Sequence, residues 1–243
     1  MDRSGYFQWL LALVFPPICP ICQNSLGDGE RDALICGACE QDVQTIQPPY
    51  CAGCGLPFPS QETDIHLCSR CLTEQYYFEI HRSCGLYEGT LREGIHRLKY
   101  LGDFPTVRYF GNLLYSTFQQ CFQDWPVDVA LPVPLHPRRL RERGFNQALL
   151  LARELSKKTK IPLRAKALRK IKYTPTQTGL TGRQRKKNLK GAFQVAQKES
   201  LTGRSILLID DVYTTGATAS ECARVLQKAG AQRVAVLTLA RTT

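Results

Sequence analysis

Between positions 204 and 222 an unbroken run of branched apolar residues, Ile206 to Ile209, leads straight into two acids, Asp210 and Asp211. Val212, Tyr213, Thr214, Thr215, Gly216, Ala217 and Thr218 follow. The apolar run has the pattern of a strand buried on both faces of a parallel sheet. The small and hydroxylated residues after it let backbone N–H groups curl around an anion, and a helix is expected to follow over 219–228. The unpaired N–H groups and partial positive charge of a helix N-terminus stabilise a phosphate. Carboxylates beside that cradle would repel a phosphate unless they faced something else, and vicinal hydroxyls or a Mg2+ ion would suit them. The plain alternative is a generic α/β strand that happens to end in acids. The metal-binding strand of a P-loop ATPase is excluded, because the chain has no G-x-x-x-x-G-K-[ST] loop.

A second chemistry lies in the cysteines. Eight of the eleven fall in C-x2-C knuckles: Cys19/Cys22, Cys36/Cys39, Cys51/Cys54 and Cys68/Cys71. Thirteen residues separate the knuckles within each pair, and the first set recurs 32 positions later as the second, an internal repeat. A C-x2-C turn presents thiolates to one side of a metal and a second knuckle completes a tetrahedron, so the pattern reads as tandem zinc ribbons with structural Zn2+. A disulfide scaffold would need an oxidising compartment, and no secretion signal is evident. Pairing of adjacent knuckles lets each repeat close by itself. Cys84, Cys121 and Cys222 stand apart and read as core or surface thiols.

The positive charge is concentrated. From His136 to Gly191 there are 18 Lys or Arg against two acids, a net of +16 where the whole chain has +11. Such a segment implies a polyanionic ligand, either pyrophosphate, which needs few cations, or nucleic acid, which uses many.

These residues require a scaffold. The length of 243 residues suits one α/β domain and a small accessory domain, with the ribbons in 1–75 and the α/β unit in 76–243. The apolar N-terminus, Tyr6 to Ile18, reads as a short amphipathic helix, and no run is long enough to span a membrane, so a cytoplasmic location is expected. Strands are expected over 78–88, 128–133 and 167–171, and helices over 90–100, 104–122 and 145–158. In a parallel sheet the loops leaving neighbouring strands converge on one crevice. The loops after Val133 and Ile209 would then face one ligand from two sides. The polar stretch Tyr173 to Leu189 reads as a lid or as a solvated basic hairpin. Arg143, Asn146 and Gln147 divide between ligand contacts and the cap of the helix that follows.

The order strand, acid pair, Thr-Thr-Gly-x-Thr, helix resembles the phosphoribosyl pyrophosphate (PRPP) signature of type I phosphoribosyltransferases. Several blocks extend the likeness: Leu98-Lys-Tyr-Leu-Gly-Asp103, Arg143 to Ala148, Pro175 to Leu180 and Arg185 to Phe193, all behind a double zinc ribbon. Together they resemble the ComF family across essentially the whole chain, a family similar to amidophosphoribosyltransferases and linked to natural competence. The resemblance implies a parallel-sheet type I phosphoribosyltransferase fold, Asp210 and Asp211 on the ribose hydroxyls, and 214–218 on the 5'-phosphate. It also implies Leu135, His136 and the turn to Arg138 on pyrophosphate, a closing lid, and Mg2+ bound with PRPP. Arg138 and Arg185 are the cations expected to stabilise departing pyrophosphate. Two function classes stay open at this point: a phosphoribosyltransferase acting in DNA uptake or processing, and a non-catalytic adaptor. The adaptor would hold single-stranded DNA and a helicase or other uptake protein, with PRPP as regulator or relic.

Overall fold

The computed structural model describes residues 17–30, 33–59, 66–174, 187–196 and 201–243. Most of the expected N-terminal helix, the lid segment 175–186 and Arg185 therefore lie outside the described residues.

The centre is a four-stranded parallel sheet in the order β1 (Ile80–Leu86), β6 (Arg233–Arg241), β5 (Ser205–Tyr213), β2 (Val129–Pro132). Both inner strands are apolar on each face: residues 206–209 and 234–237 are completely buried. Such strands have no polar face to give to water, so the chain must cover both sides. Helices α3 (Gly89–Leu101), α4 (Thr106–Cys121) and α6 (Gln147–Thr159) cover one. Helix α7 (Ala217–Lys228) and an antiparallel hairpin, β3 (Leu168–Lys170) with β4 (Phe193–Val195), cover the other. Leu91, Ile95 and Leu98 form the buried stripe of α3, at the spacing that sets them on one helical face.

The two cysteine repeats do not hang off this unit. Cys19, Ile21, Ile35, Cys36 and Cys39 join the core on the α3 side, whereas Cys51, Cys54 and Cys68 join it on the α7 side. Short helices α1 (Gly37–Gln41) and α2 (Ser69–Thr73) carry the second knuckle of each repeat. Between the repeats the chain runs along the outer edge of β1: Ile46 N–H donates to the Cys84 carbonyl and Leu86 N–H to that of Gln44, each at 3.0 Å. Asp42 accepts a 2.7 Å bond from Thr90 N–H and so caps α3 from outside its own sequence.

Three differences from expectation bear on the site. Strand β5 does not stop at Ile209 but continues through both acids to Tyr213, because β6 pairs with it as far as Arg241. The helix after the Thr-Thr-Gly turn starts at Ala217 rather than 219. The turn after β2 contains a further helix, α5 (Pro137–Arg143), with Pro137 in its first turn and the His136 side chain accepting from Arg138 N–H at 3.2 Å. Among the described residues no helix is long and apolar enough to cross a membrane.

Candidate functional site

The acid pair stands at the C-terminal end of β5, where the parallel sheet opens. Asp211 is 5 % exposed and forms an ion pair with Lys99, the last cation of α3. Its own N–H donates to Asp210 Oδ1 at 3.0 Å. Burial and the Asp211 charge raise Asp210 well above the ordinary carboxylate range. Burial pushes Asp211 the same way, but the Lys99 ammonium outweighs it and holds that carboxyl below its usual value. For Lys99, burial works to lower the ammonium and the two acids prevail to raise it. The pair therefore contains one acid that Lys99 draws toward its anion and one that burial and its neighbour bias toward the protonated form.

Beyond Tyr213 the chain turns at Gly216, whose φ of 75° is left-handed and which caps α7. A Cβ there would lie 2.4 Å from Tyr213 Oη, so glycine is required by space as well as by conformation. Asp210 and residues 212–219 enclose a small hollow of about 30 Å³ at this turn. Helix α7 spans 12 residues, long enough to present free N–H groups and a dipole to an anion seated there.

The turn after β2 approaches from the other side. Leu135, Arg139 and Gln147 share a cavity of about 220 Å³ with Asp210, Asp211, Thr218 and Lys170. Burial pulls the Lys170 ammonium below its ordinary value, a cost that an incoming anion would offset. A neighbouring cavity of about 550 Å³ is bounded by Lys99, Tyr100, Arg143 and Phe145, and Arg139 lines both.

The expected residues are thus distributed unequally. The acids, Leu135, Gln147 and Thr218 meet around one cavity. Asn146 is the cap of α6, accepting from Ala148 N–H at 3.0 Å while its amide donates to the Val133 carbonyl at 3.1 Å. Arg143 donates to Gln147 Oε1 at 2.8 Å and lies over the Tyr100 ring. Arg138 points outward: its side chain is 61 % exposed, paired with Glu142 at 3.0 Å and stacked over Tyr173. Arg139, one residue further on, is the α5 cation that lines the cavity.

The cysteines fall into two clusters, Cys19/Cys22/Cys36/Cys39 and Cys51/Cys54/Cys68/Cys71, with the sulfurs of each within 4.8 Å of one another. Adjacent knuckles pair, as the repeat suggested. Within each cluster backbone N–H groups aim at sulfur: Cys36 N–H at Cys19 (3.4 Å) and Cys68 N–H at Cys51 (3.3 Å). Against the opposing effect of burial these bonds bring Cys19 down to about 7 and Cys51 to about 6. Four soft donors converging on one point, one of them drawn toward thiolate in each cluster, fit Zn2+ in closed structural shells with no open position.

Comparison with known proteins agrees with this geometry. Residues 10–72 match the double zinc ribbon domain and residues 144–242 the phosphoribosyl transferase domain. Competence protein F of Haemophilus influenzae is 33% identical over 229 residues, which cover 92% of this chain and 96% of that protein. The chain belongs to the competence protein F (ComF) family. Other ComF relatives are DNA utilization protein YhgH of Escherichia coli K12, 33% identical over 95% of this chain and 99% of its own, and competence protein ComFC of Bacillus subtilis, 31% identical over 93% and 95%.

Besides Arg139, two site residues of this ComF chain escaped the sequence reading. Lys99 lies four residues after Ile95 and eight after Leu91, so it extends the buried stripe of α3. A cation on a core stripe signals an acid partner in the core. Lys170 carries no such signal, because its place in the cavity depends on the pairing of β3 with β4.

Proposed function

We propose that this protein binds PRPP across the crevice between the β2 and β5 loops. The shared cavity of the acid pair, Leu135, Arg139, Lys170 and Thr218 carries this reading. The loop 214–218 would hold the 5'-phosphate, and Asp210 and Asp211 the ribose hydroxyls. Arg139 and Lys170, together with the turn of Leu135 and His136, would face pyrophosphate. Mg2+ suits the site as the partner of that pyrophosphate, since Asp210 has no ion pair among the described residues. Loss of pyrophosphate from a ribose leaves positive charge on the sugar, and fixed cations at the departing group lower that barrier. Phosphoribosyl transfer is accordingly the chemistry we assign to the site, with Arg139 in the place expected of Arg138, which faces outward, and with Arg185 as a further cation. The names of the relatives point to a role in DNA uptake or utilisation. Calorimetry with PRPP and Mg2+, followed by a pyrophosphate-release assay, tests both stages. No heat at millimolar PRPP would end the reading.

The partner in that role is, on our reading, single-stranded DNA. Arg138 over the half-exposed Tyr173 gives a stacking ring beside a cation, and Lys157, Lys158 and Lys160 end α6 close together. Affinity should fall steeply with salt as counterions are released. Changing the three lysines to Glu should weaken binding in a filter or anisotropy assay. Affinity indifferent to salt would count against DNA as the ligand.

A further inference from the structure

Buried contacts join the second cysteine cluster to the phosphate loop. The Cys54 carbonyl accepts two hydrogen bonds, from His81 Nδ1 at 2.8 Å and Arg241 Nη1 at 2.6 Å. With Nδ1 as donor, His81 Nε2 accepts, and the Thr238 and Ser83 hydroxyls lie at 3.0 and 3.1 Å. The imidazole stacks on Tyr213 at 3.8 Å and 15°. The Arg241 guanidinium lies over the Tyr213 ring, 5.4 Å from its centre. That ring is the floor of the loop, the surface that a Cβ on Gly216 would strike. Tyr76 adds a second tie by donating to the Thr215 carbonyl at 3.3 Å.

Charge gives the connection a direction. Arg241 is 3 % exposed, makes no ion pair with a described residue, and its Nε has no hydrogen-bond partner among them. A buried cation needs a counter-charge. Zinc held by four thiolates retains net negative charge. The metal thus supplies what Arg241 lacks, at the strand end that meets Tyr213. Among the described residues the first cluster has no such route: it packs on α3, through Ile21 against Gly94 and Arg97 Nε donating to the Pro20 carbonyl at 2.9 Å.

We propose that the second zinc ribbon is the support that keeps the loop 214–218 in its anion-binding form, with His81, Tyr213 and Arg241 as positioning residues, and that the first ribbon has no part in this. The inference rests on reading that loop as a phosphate site.

The test is hydrogen exchange of the ligand-free full chain, with zinc content measured on each sample. Cys71→Ser should lose one zinc ion and speed exchange of amides 214–218 about tenfold or more, while Cys22→Ser should lose the other ion and leave those amides within about twofold. Tyr213→Leu should retain both ions yet show the fast loop, and Tyr213→Phe, which keeps the ring, should restore slow exchange. Equal loop exchange in Cys71→Ser and Cys22→Ser, or a slow loop in Tyr213→Leu, would overturn the proposal. Titration of the parent with PRPP and Mg2+ separates the two readings. A parent that ignores PRPP but shows the exchange contrast refutes the phosphate site and leaves the support intact.

Discussion

Lys99 and the two acids make a charge triad whose members respond differently to removal. Asp211→Asn strands a buried ammonium, and breaking such a pair costs about 3 kcal/mol, at the lower end because Asp210 stands close enough to take over part of the pairing. Urea unfolding measures it, and the pair Lys99→Met with Asp211→Leu should recover most of the loss. Asp210→Asn should instead raise stability at neutral pH while weakening PRPP binding. The pH signs follow from the two shifts. Asp211, held below the ordinary 3.8, stabilises the fold above that pH, and this is lost as the pH falls through its folded value. Asp210, raised, subtracts from stability as the pH climbs above 3.8, until its own folded value is passed. The parent should therefore lose stability as the pH rises above 3.8, and Asp210→Asn should flatten that slope. At this scale the acids and the Thr-Gly loop were legible because their chemistry is local. Arg139 and Arg138 were not distinguishable, since only the capped start of α5 decides which of two adjacent arginines faces inward.

Helices and strands were legible wherever their own residues dictated them. The α3 stripe and the apolar runs of β2 and β5 needed no partner to be recognised, and glycine ended α3 at Gly102, with φ of 66°. Extension of β5 through the acids was hidden, because it depends on β6, 28 positions away in register. The N-cap of α3 was hidden for the same kind of reason. Its local residue, Glu88, makes no capping bond, and Asp42 serves instead from beside the first ribbon. A Cβ on Gly89 would lie 2.2 Å from the Asp42 carboxylate, so the helix start is shaped to accept it. Asp42→Ala should cost about 1 kcal/mol, read as a lower urea midpoint with an unchanged slope. An equal loss from Glu88→Ala would argue for a local cap.

At the scale of the whole molecule the two ribbons clasp the sheet from opposite faces, each contributing cysteines to a different side of the core. Elemental analysis of reduced protein should give two zinc ions per chain, since each cluster offers four sulfurs. The spacing of the knuckles was enough to foresee the clusters, but not their place, because packing against α3 and α7 is fixed by the fold of residues far along the chain. The stretch between the ribbons also occupies the outer edge of β1, with Thr45 bridged to Gly85, and the first knuckle of the second ribbon continues the cover, the Gly53 carbonyl accepting from His81 N–H at 2.8 Å. The opposite edge, β2, is closed by Leu163 beside Ala130. An open strand edge is a template for joining another chain, and the cover on β1 is suspended between the two metal clusters. Zinc starvation should therefore appear first as self-association, visible as light scattering when a chelator is added. The supply of metal would then set how much of this protein stays in solution, before it sets how well any of it works.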